Sequence, residues 1–321
     1  MKLKLDLTIV AILGSLALGL LLPLDGQAAE VLDVVTKVAI FLLFFGYGAR
    51  LSTEETVAGI KHWKLHLTIL AITFVMYPLL ATPLLAIPDG WISSAMKIGL
   101  IFLCLVPSTV QSSITFTSLA GGNIPAAMVA ATASNVLGVI ITPLLAMLFI
   151  QGSSGGSIGA QQIYNVMLQL LLPFILGQLS RFFTAGFMLR HKKRLKYLDQ
   201  GVIVLIVYGA FSDLRTSGVW RTLSWADVAW VVPITMVLLA FTFWFTWHLG
   251  KWLGFTRPDQ IAIMFCGTKK SLATGVPMAM VLFPTATVGV IVIPLMLYHQ
   301  VQLLVSSMLA NKLGSEEGPH A

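Results

Sequence analysis

Ten apolar stretches cover almost the whole chain, and no other feature limits its fold so tightly. They run at about 5–24, 31–50, 65–87, 95–119, 123–151, 162–184, 197–214, 227–250, 258–283 and 286–310. A helix crosses the hydrocarbon core of a bilayer in about 20 residues. Inside lipid every backbone N–H and C=O must find a partner within the protein, which makes helices of such stretches. The composition agrees: 57% of the 321 residues are AVILMFWYC and only 10% are Asp, Glu, Lys or Arg. No water-soluble fold tolerates that balance, so the sequence predicts an all-α integral membrane protein of ten transmembrane helices. Lys2, Lys4 and the apolar run to Leu24 have the layout of a signal peptide ending near Ala28-Ala29, but the many spans downstream favour an uncleaved first helix. Cys104 and Cys266 fall inside spans without disulfide or metal spacing, and read as small apolar residues.

The net charge of +7 calls for no nucleic-acid partner, because placement explains it. With the chain starting inside, alternate loops collect Lys2, Lys4, Arg50, Lys61, Lys64, Arg181, Arg190, Lys192, Lys193, Arg194, Lys196, Lys251, Arg257 and Lys312. The opposite side receives Lys37, Lys97, Arg215 and Arg221. A bias of fourteen to four puts both termini in the cytoplasm under the positive-inside rule. The run Arg190-His191-Lys192-Lys193-Arg194 then reads as a cytoplasmic loop able to touch anionic headgroups. Asp33 and Lys37, four apart, form a local pair.

Ser153–Gly159 (SSGGSIG) is a flexible linker near the middle of the chain. It separates a first five-span repeat (1–152) from a second (160–312), with a flexible tail at 313–321. Two halves with an odd number of spans lie in opposite orientations, the inverted-repeat plan of many secondary transporters.

The fourth span of each half carries a polar interruption. In the first it is Pro107–Thr117 (PSTVQSSITFT), followed by Gly121-Gly122-Asn123; in the second it is Phe265–Ala279 (FCGTKKSLATGVPMA). A charge at bilayer depth costs about 2.5 to 3.5 kcal/mol on insertion scales and persists mainly where it pairs, lines a cavity or does work. Lys269 and Lys270 are therefore the least expected residues in the chain, and Gly267, Gly275 and Pro277 beside them predict a helix that unwinds. Ser108, Thr109, Gln111, Ser112, Ser113 and Thr115 offer neutral oxygens that suit Na⁺. The blander reading is that each hydroxyl bonds back to its own helix; six beside one proline favour a site. Thr132, Ser134, Asn135 and Thr142 continue a polar side on the fifth span, and His299 is a candidate proton relay beside Tyr298, Gln300 and Gln302.

The ten-span, five-plus-five layout with broken fourth and ninth spans resembles the bile acid:sodium symporter family (solute carrier family 10), in its SBF-like branch. The likeness covers about residues 5–312 and is carried by Pro107…Ser112-Ser113…Gly122-Asn123, Thr73-Phe74…Pro78 and Phe265-Cys266-Gly267-Thr268-Lys269-Lys270-Ser271-Leu272-Ala273. It implies a panel domain (spans 1, 2, 6, 7), a core domain (spans 3–5, 8–10), broken helices crossing in the core, and a substrate cavity between the domains. Sodium-coupled members carry Ser-Asn where this chain has Ser112-Ser113, and a glutamine where Thr73 stands. Their ninth-span Glu, Gly and Gln-Asn correspond here to Phe265, Gly267, Lys269 and Lys270. An ammonium 4 Å from a sodium site repels the ion by about 4 kcal/mol at an effective dielectric near 20, so at least one such site is expected to be absent. The tethered cation then substitutes for the ion, binds an anionic solute, or gives up its proton, which desolvation makes easier for a lysine.

These readings combine into a gradient-driven secondary transporter of small organic, anionic solutes in the inner (cytoplasmic) membrane. The expected solute and ion residues are Thr73, Gln111, Ser112, Ser113, Asn123, Thr132, Thr268, Lys269, Lys270 and Ser271. His299 is the candidate relay, with a hydrogen-bonded packing histidine as the other reading, and Ser112 and Ser113 are the candidate Na⁺ ligands. Na⁺ or H⁺ is the coupling ion and no other cofactor is expected; solute and bilayer are the partners, and the oligomeric state stays open. The alternative is a membrane protein that keeps the fold and regulates a partner. Walker A, H-E-x-x-H and G-x-S-x-G motifs are absent, which excludes the common enzyme classes.

Overall fold

A computed structural model describes residues 7–50, 62–88, 90–150 and 160–315. The linker at 153–159, Lys2, Lys4, Lys61 and the tail from 316 lie outside the described residues. Among the described residues all extended regular structure is helical. Among the described residues six helices are long and apolar enough to cross a membrane: Trp63–Leu85, Ile124–Ile150, Leu168–Arg190, Lys192–Thr216, Trp225–Trp252 and Thr285–Ser315. The protein is therefore a multi-pass membrane protein.

The chain divides into two compact units. The first holds residues 1–51, 157–224 and 276–292. Its helices are α1 (Leu7–Leu21), α2 (Gly26–Arg50), α8 (Ala160–Arg190) and α9 (Lys192–Thr216), with the later short helix α13 (Thr285–Ile291). Spans 1, 2, 6 and 7 thus share a unit, and residues 276–292 join them, which the panel expectation did not include. Glycines set the closest approach: a Cβ at Gly48 would meet the Phe174 carbonyl oxygen at 2.0 Å, and one at Gly177 would meet that of Phe45 at 2.0 Å. Small residues of this kind let membrane helices touch backbone to backbone. Arg50 adds a two-toothed ion pair to Asp199, at 2.6 and 2.9 Å, while its Nε donates to the Gly46 carbonyl. The basic run does not form the expected loop: α8 continues to Arg190 and α9 begins at Lys192, leaving His191 as the joint. Straight-chain Lys and Arg are good helix formers, so both helices extend into the run and only His191 is left outside them.

The second unit holds residues 52–156, 225–275 and 293–321. It contains α3 (Trp63–Ala71), a π-helical turn (Ile72–Met76), α4 (Tyr77–Leu85), α5 (Ser94–Leu105), α6 (Gln111–Leu119), α7 (Ile124–Ile150), α10 (Trp225–Trp252) and α11 (Arg257–Gly267). The opening of α12 (Leu272–Leu282) and α14 (Ile293–Ser315) complete it. The last helix runs to Ser315, three residues into the stretch expected to be a tail. Residues Gly99 to Leu105 of α5 and Ile261 to Gly267 of α11 are buried on every side, which matches their all-round apolar sequence. Both helices end in the middle of this core, α5 before Val106–Val110 and α11 before Thr268–Ser271.

Candidate functional site

Pro107 starts the first interruption by having no N–H to continue α5 and no tolerance for a helical residue before it; Val106 is accordingly extended, at φ −74° and ψ 153°. Four carbonyls at this break find new partners. Cys104 O and Val106 O accept from Lys270 Nζ at 3.0 and 2.8 Å. Leu105 O accepts from the Thr142 hydroxyl at 2.8 Å, and Pro107 O from the Ser271 N–H at 2.9 Å. Gly138 on α7 leaves room for the Pro107 ring, which a Cβ there would meet at 2.7 Å.

The second interruption answers the first with matching bonds. Ser108 Oγ donates to Cys266 O at 2.6 Å, while Lys270 Nζ donates to Cys104 O; each reaches the cysteine carbonyl of the other break from the same step beyond its own cysteine. The Ser108 N–H donates to Ser134 Oγ and the Lys270 N–H to Gln302 Oε1. The Ser108 carbonyl accepts from Asn135 Nδ2 at 2.6 Å, and the Lys270 carbonyl from Gln302 Nε2 at 2.9 Å. The hydroxyls of Thr109 and Ser112 lie 2.5 Å apart, those of Ser271 and Thr274 2.9 Å. Ser271 also caps α12 by accepting the Thr274 N–H at 3.1 Å, and Thr274 in turn donates to Asn135 Oδ1 at 2.7 Å.

Both lysines are fully buried. Among the described residues neither has a carboxylate partner; the ion pairs are Lys37–Asp33 and Arg50–Asp199. Three main-chain carbonyls surround Lys270 Nζ, those of Cys104, Val106 and, at 3.4 Å, Thr73. The Tyr77 ring lies beneath it, with its centroid at 3.9 Å. The sequence explains why Thr73 O is free. In the π turn the Tyr77 N–H bonds to Ile72 O, and the next residue is Pro78, which has no N–H to offer. Lys269 has a different setting. Its Nζ donates to Ser306 Oγ and to Gln302 O at 3.4 Å, and the rings of Phe116 and Phe265 stand at 4.4 and 5.7 Å. A buried charge costs several kcal/mol unless hydrogen-bonded; desolvated contacts with an aromatic face contribute about 2 kcal/mol.

Of the residues expected at the site, Thr73, Ser113, Thr268, Lys269, Lys270 and Ser271 meet here. Ser113 Oγ donates to Phe265 O at 3.2 Å, and Thr268 O lies 2.9 and 3.0 Å from the hydroxyls of Tyr77 and Tyr298. Thr73 takes part through its carbonyl, since its hydroxyl bonds back to Ile69 O. Ser112 is half-buried at the opening of α6, and the side chain of Gln111 is exposed. Asn123 stands apart: it caps α7 through Ala126 and donates to Asp259 at 2.8 Å. Thr132 is half-buried on α7 and takes no part in the bonds joining the breaks. His299 Nδ1 lies 3.1 Å from the Lys270 carbonyl and 2.9 Å from Gln302 Nε2, beside the lysine's backbone and not its ammonium. Sequence reasoning passed over Tyr77 and Ser306, and named Gln302 only as a neighbour of His299. A signal existed, because Tyr298, Gln302 and Ser306 recur at the four-residue spacing of one helix face.

Comparison with known proteins agrees with this architecture. Residues 6–315 match the model of the SBF-like CPA transporter family. The chain is 46% identical over 305 residues to "Uncharacterized protein PA2026" of Pseudomonas aeruginosa, covering 94% of this chain and 91% of that one. It is 42% identical over 291 residues to "Putative symporter YfeH" of Escherichia coli (90% and 87% covered). With the "Sodium/bile acid cotransporter 7" of Xenopus tropicalis the identity is 31% over 293 residues (88% and 82% covered). The chain belongs to the SBF-like CPA transporter family, and is a membrane transporter and not an enzyme.

Proposed function

We propose that this chain carries small organic anions across the cytoplasmic membrane, driven by an ion gradient, and that the joined breaks of spans 4 and 9 form its binding centre. The observation that carries the reading is the buried pair Lys269 and Lys270, two cationic side chains without a carboxylate at a point where two helices stop and restart. Positive ends reinforce them: α6 and α12 both begin at the breaks, and helix N-termini favour negative charge. Relatives named as a symporter and as sodium/bile acid cotransporters support movement of a solute together with an ion. The matched bonds of the two breaks support two inverted five-span repeats, since a shared ancestral half accounts for the same bond recurring in each direction. The basic excess supports a cytoplasmic position for the α8–α9 and α10–α11 junctions.

In this reading Na⁺ enters at the first break, among the hydroxyls of Thr109, Ser112 and Ser113, and H⁺ is the rival coupling ion at the lysines, with His299 alongside. Uptake of an anion panel into liposomes under separate Na⁺ and pH gradients tests it. Gradient-driven uptake that falls at least tenfold in Lys269→Gln or Lys270→Gln is expected. Na⁺-driven uptake that survives both changes removes the lysines from the mechanism. Folded protein that moves no anion under either gradient overturns the reading and leaves the regulatory alternative.

A further inference from the structure

We propose that Lys270 is the built-in occupant of a monovalent-cation site, and that removing its side chain leaves a site for a cation of ammonium's size, NH₄⁺ or K⁺, with Na⁺ held more weakly. An ammonium has three donors and no acceptor, and here each donor meets a main-chain carbonyl, those of Thr73, Cys104 and Val106, at 3.4, 3.0 and 2.8 Å. The Tyr77 ring closes the remaining side. Backbone carbonyls arranged around a cation are how selective pores replace the water shell of K⁺.

The cage does not depend on the lysine for its existence. Thr73 O is released by the π turn and Pro78, and Cys104 O and Val106 O by the end of α5 at Pro107. Those causes are covalent and stay when residue 270 is shortened. What disappears is the charge that three converging carbonyl dipoles require. The neighbouring lysine makes no such hollow. Lys269 meets one carbonyl and the hydroxyl of Ser306, which itself donates to Gln302 O at 2.5 Å, so its removal leaves aromatic walls and a satisfied hydroxyl. Two adjacent lysines thus differ in kind: one fills an ion site, the other does not. The inference concerns ion occupancy and stands apart from which solute is carried.

Thermal unfolding of the purified full chain in detergent tests it, in chloride salts of ammonium, potassium, sodium and choline at equal concentration. The wild type is expected to unfold at one temperature in ammonium, potassium and choline, and it is the reference for sodium, because the first break offers that ion hydroxyls of its own. Lys270→Ala should unfold lowest in choline and rise by about 3 °C or more in ammonium or potassium, as for a ligand bound to the folded state only. Lys270→Met, which refills the hollow without charge, should unfold low and gain nothing in ammonium or potassium. Lys269→Ala should respond to the salts as the wild type does. A Lys270→Ala protein indifferent to the cation overturns the proposal. So does an equal response in Lys269→Ala, or failure to recover folded Lys270→Ala in any of the four salts.

Discussion

At the first break, residues Val106–Val110 leave the helix and their polar groups are met by neutral partners: Ser134, Asn135 and the Ser271 N–H, with Lys270 reaching in from outside. At the second break, Thr268–Ser271 do the same, but two of the four residues are lysines and the partners come from Gln302, Tyr77, Tyr298 and Ser306. The backbone problem is the same in both places, and each is solved by an amide side chain from the following long helix, Asn135 on α7 and Gln302 on α14. The difference lies in where charge resides. The first break is a set of acceptors without a cation of its own; the second supplies the cation, and one of its ammonium groups closes the acceptors of the first. An interrupted helix inside a membrane therefore needs no dissolved ion to satisfy it if a neighbouring interruption carries a tethered one.

The largest way to break that complementarity is to reverse the charge. Lys270→Glu would set a carboxylate against three carbonyls, and the loss of folded protein on heating should correspond to about 3 to 5 kcal/mol or more. Next comes Gln302→Ala, which strands the N–H of Lys270 and leaves its C=O with His299 Nδ1 as remaining partner; a loss of about 1 to 3 kcal/mol is expected from the unmet buried group. The matching change at the first break, Asn135→Ala, strands Ser108 O and leaves the Thr274 hydroxyl with Ser271 as remaining partner, and comparable unfolding shifts for the two variants would sharpen the equivalence of the breaks. Tyr77→Phe keeps the ring under Lys270 and removes only the hydroxyl near Thr268 O, so about 1 kcal/mol is at stake; a larger loss would mean that the hydroxyl, and not the ring, holds the lysine. Smallest is Ser112→Ala. Its side chain is half-buried, and stability should move by no more than about 0.5 kcal/mol, while any Na⁺ dependence of uptake should weaken if the first break holds that ion.

The places of the breaks were legible before any coordinates, because Pro107, Gly267 and the lysine pair violate the rules of an apolar helix and few structures tolerate that. Two positions take a different structural part from the one that local logic suggested. Asn123 looked like a site residue beside the glycines, yet Asn before Ile124-Pro125 is a helix-start signal, and it caps α7. The run Arg190–Arg194 looked like a loop because of its charge, although its residues favour a helix and form one on both sides of His191. Thr73 was named for its side chain, and it contributes its carbonyl instead.

By itself the sequence determined the class of solvent, the helical form of every long apolar run, the two points where helices must fail, and the presence of cationic groups at one of them. These follow from local energetics: apolar content, missing proline N–H groups and the cost of charge in lipid are properties of a few adjacent residues. Which acceptors meet the lysines was decided only by the tertiary structure. Every residue carries a carbonyl, so no letter in the sequence marks Cys104 O, Val106 O or Thr73 O as free; they become partners of Lys270 because α5, the π turn and α11 end within reach of one another.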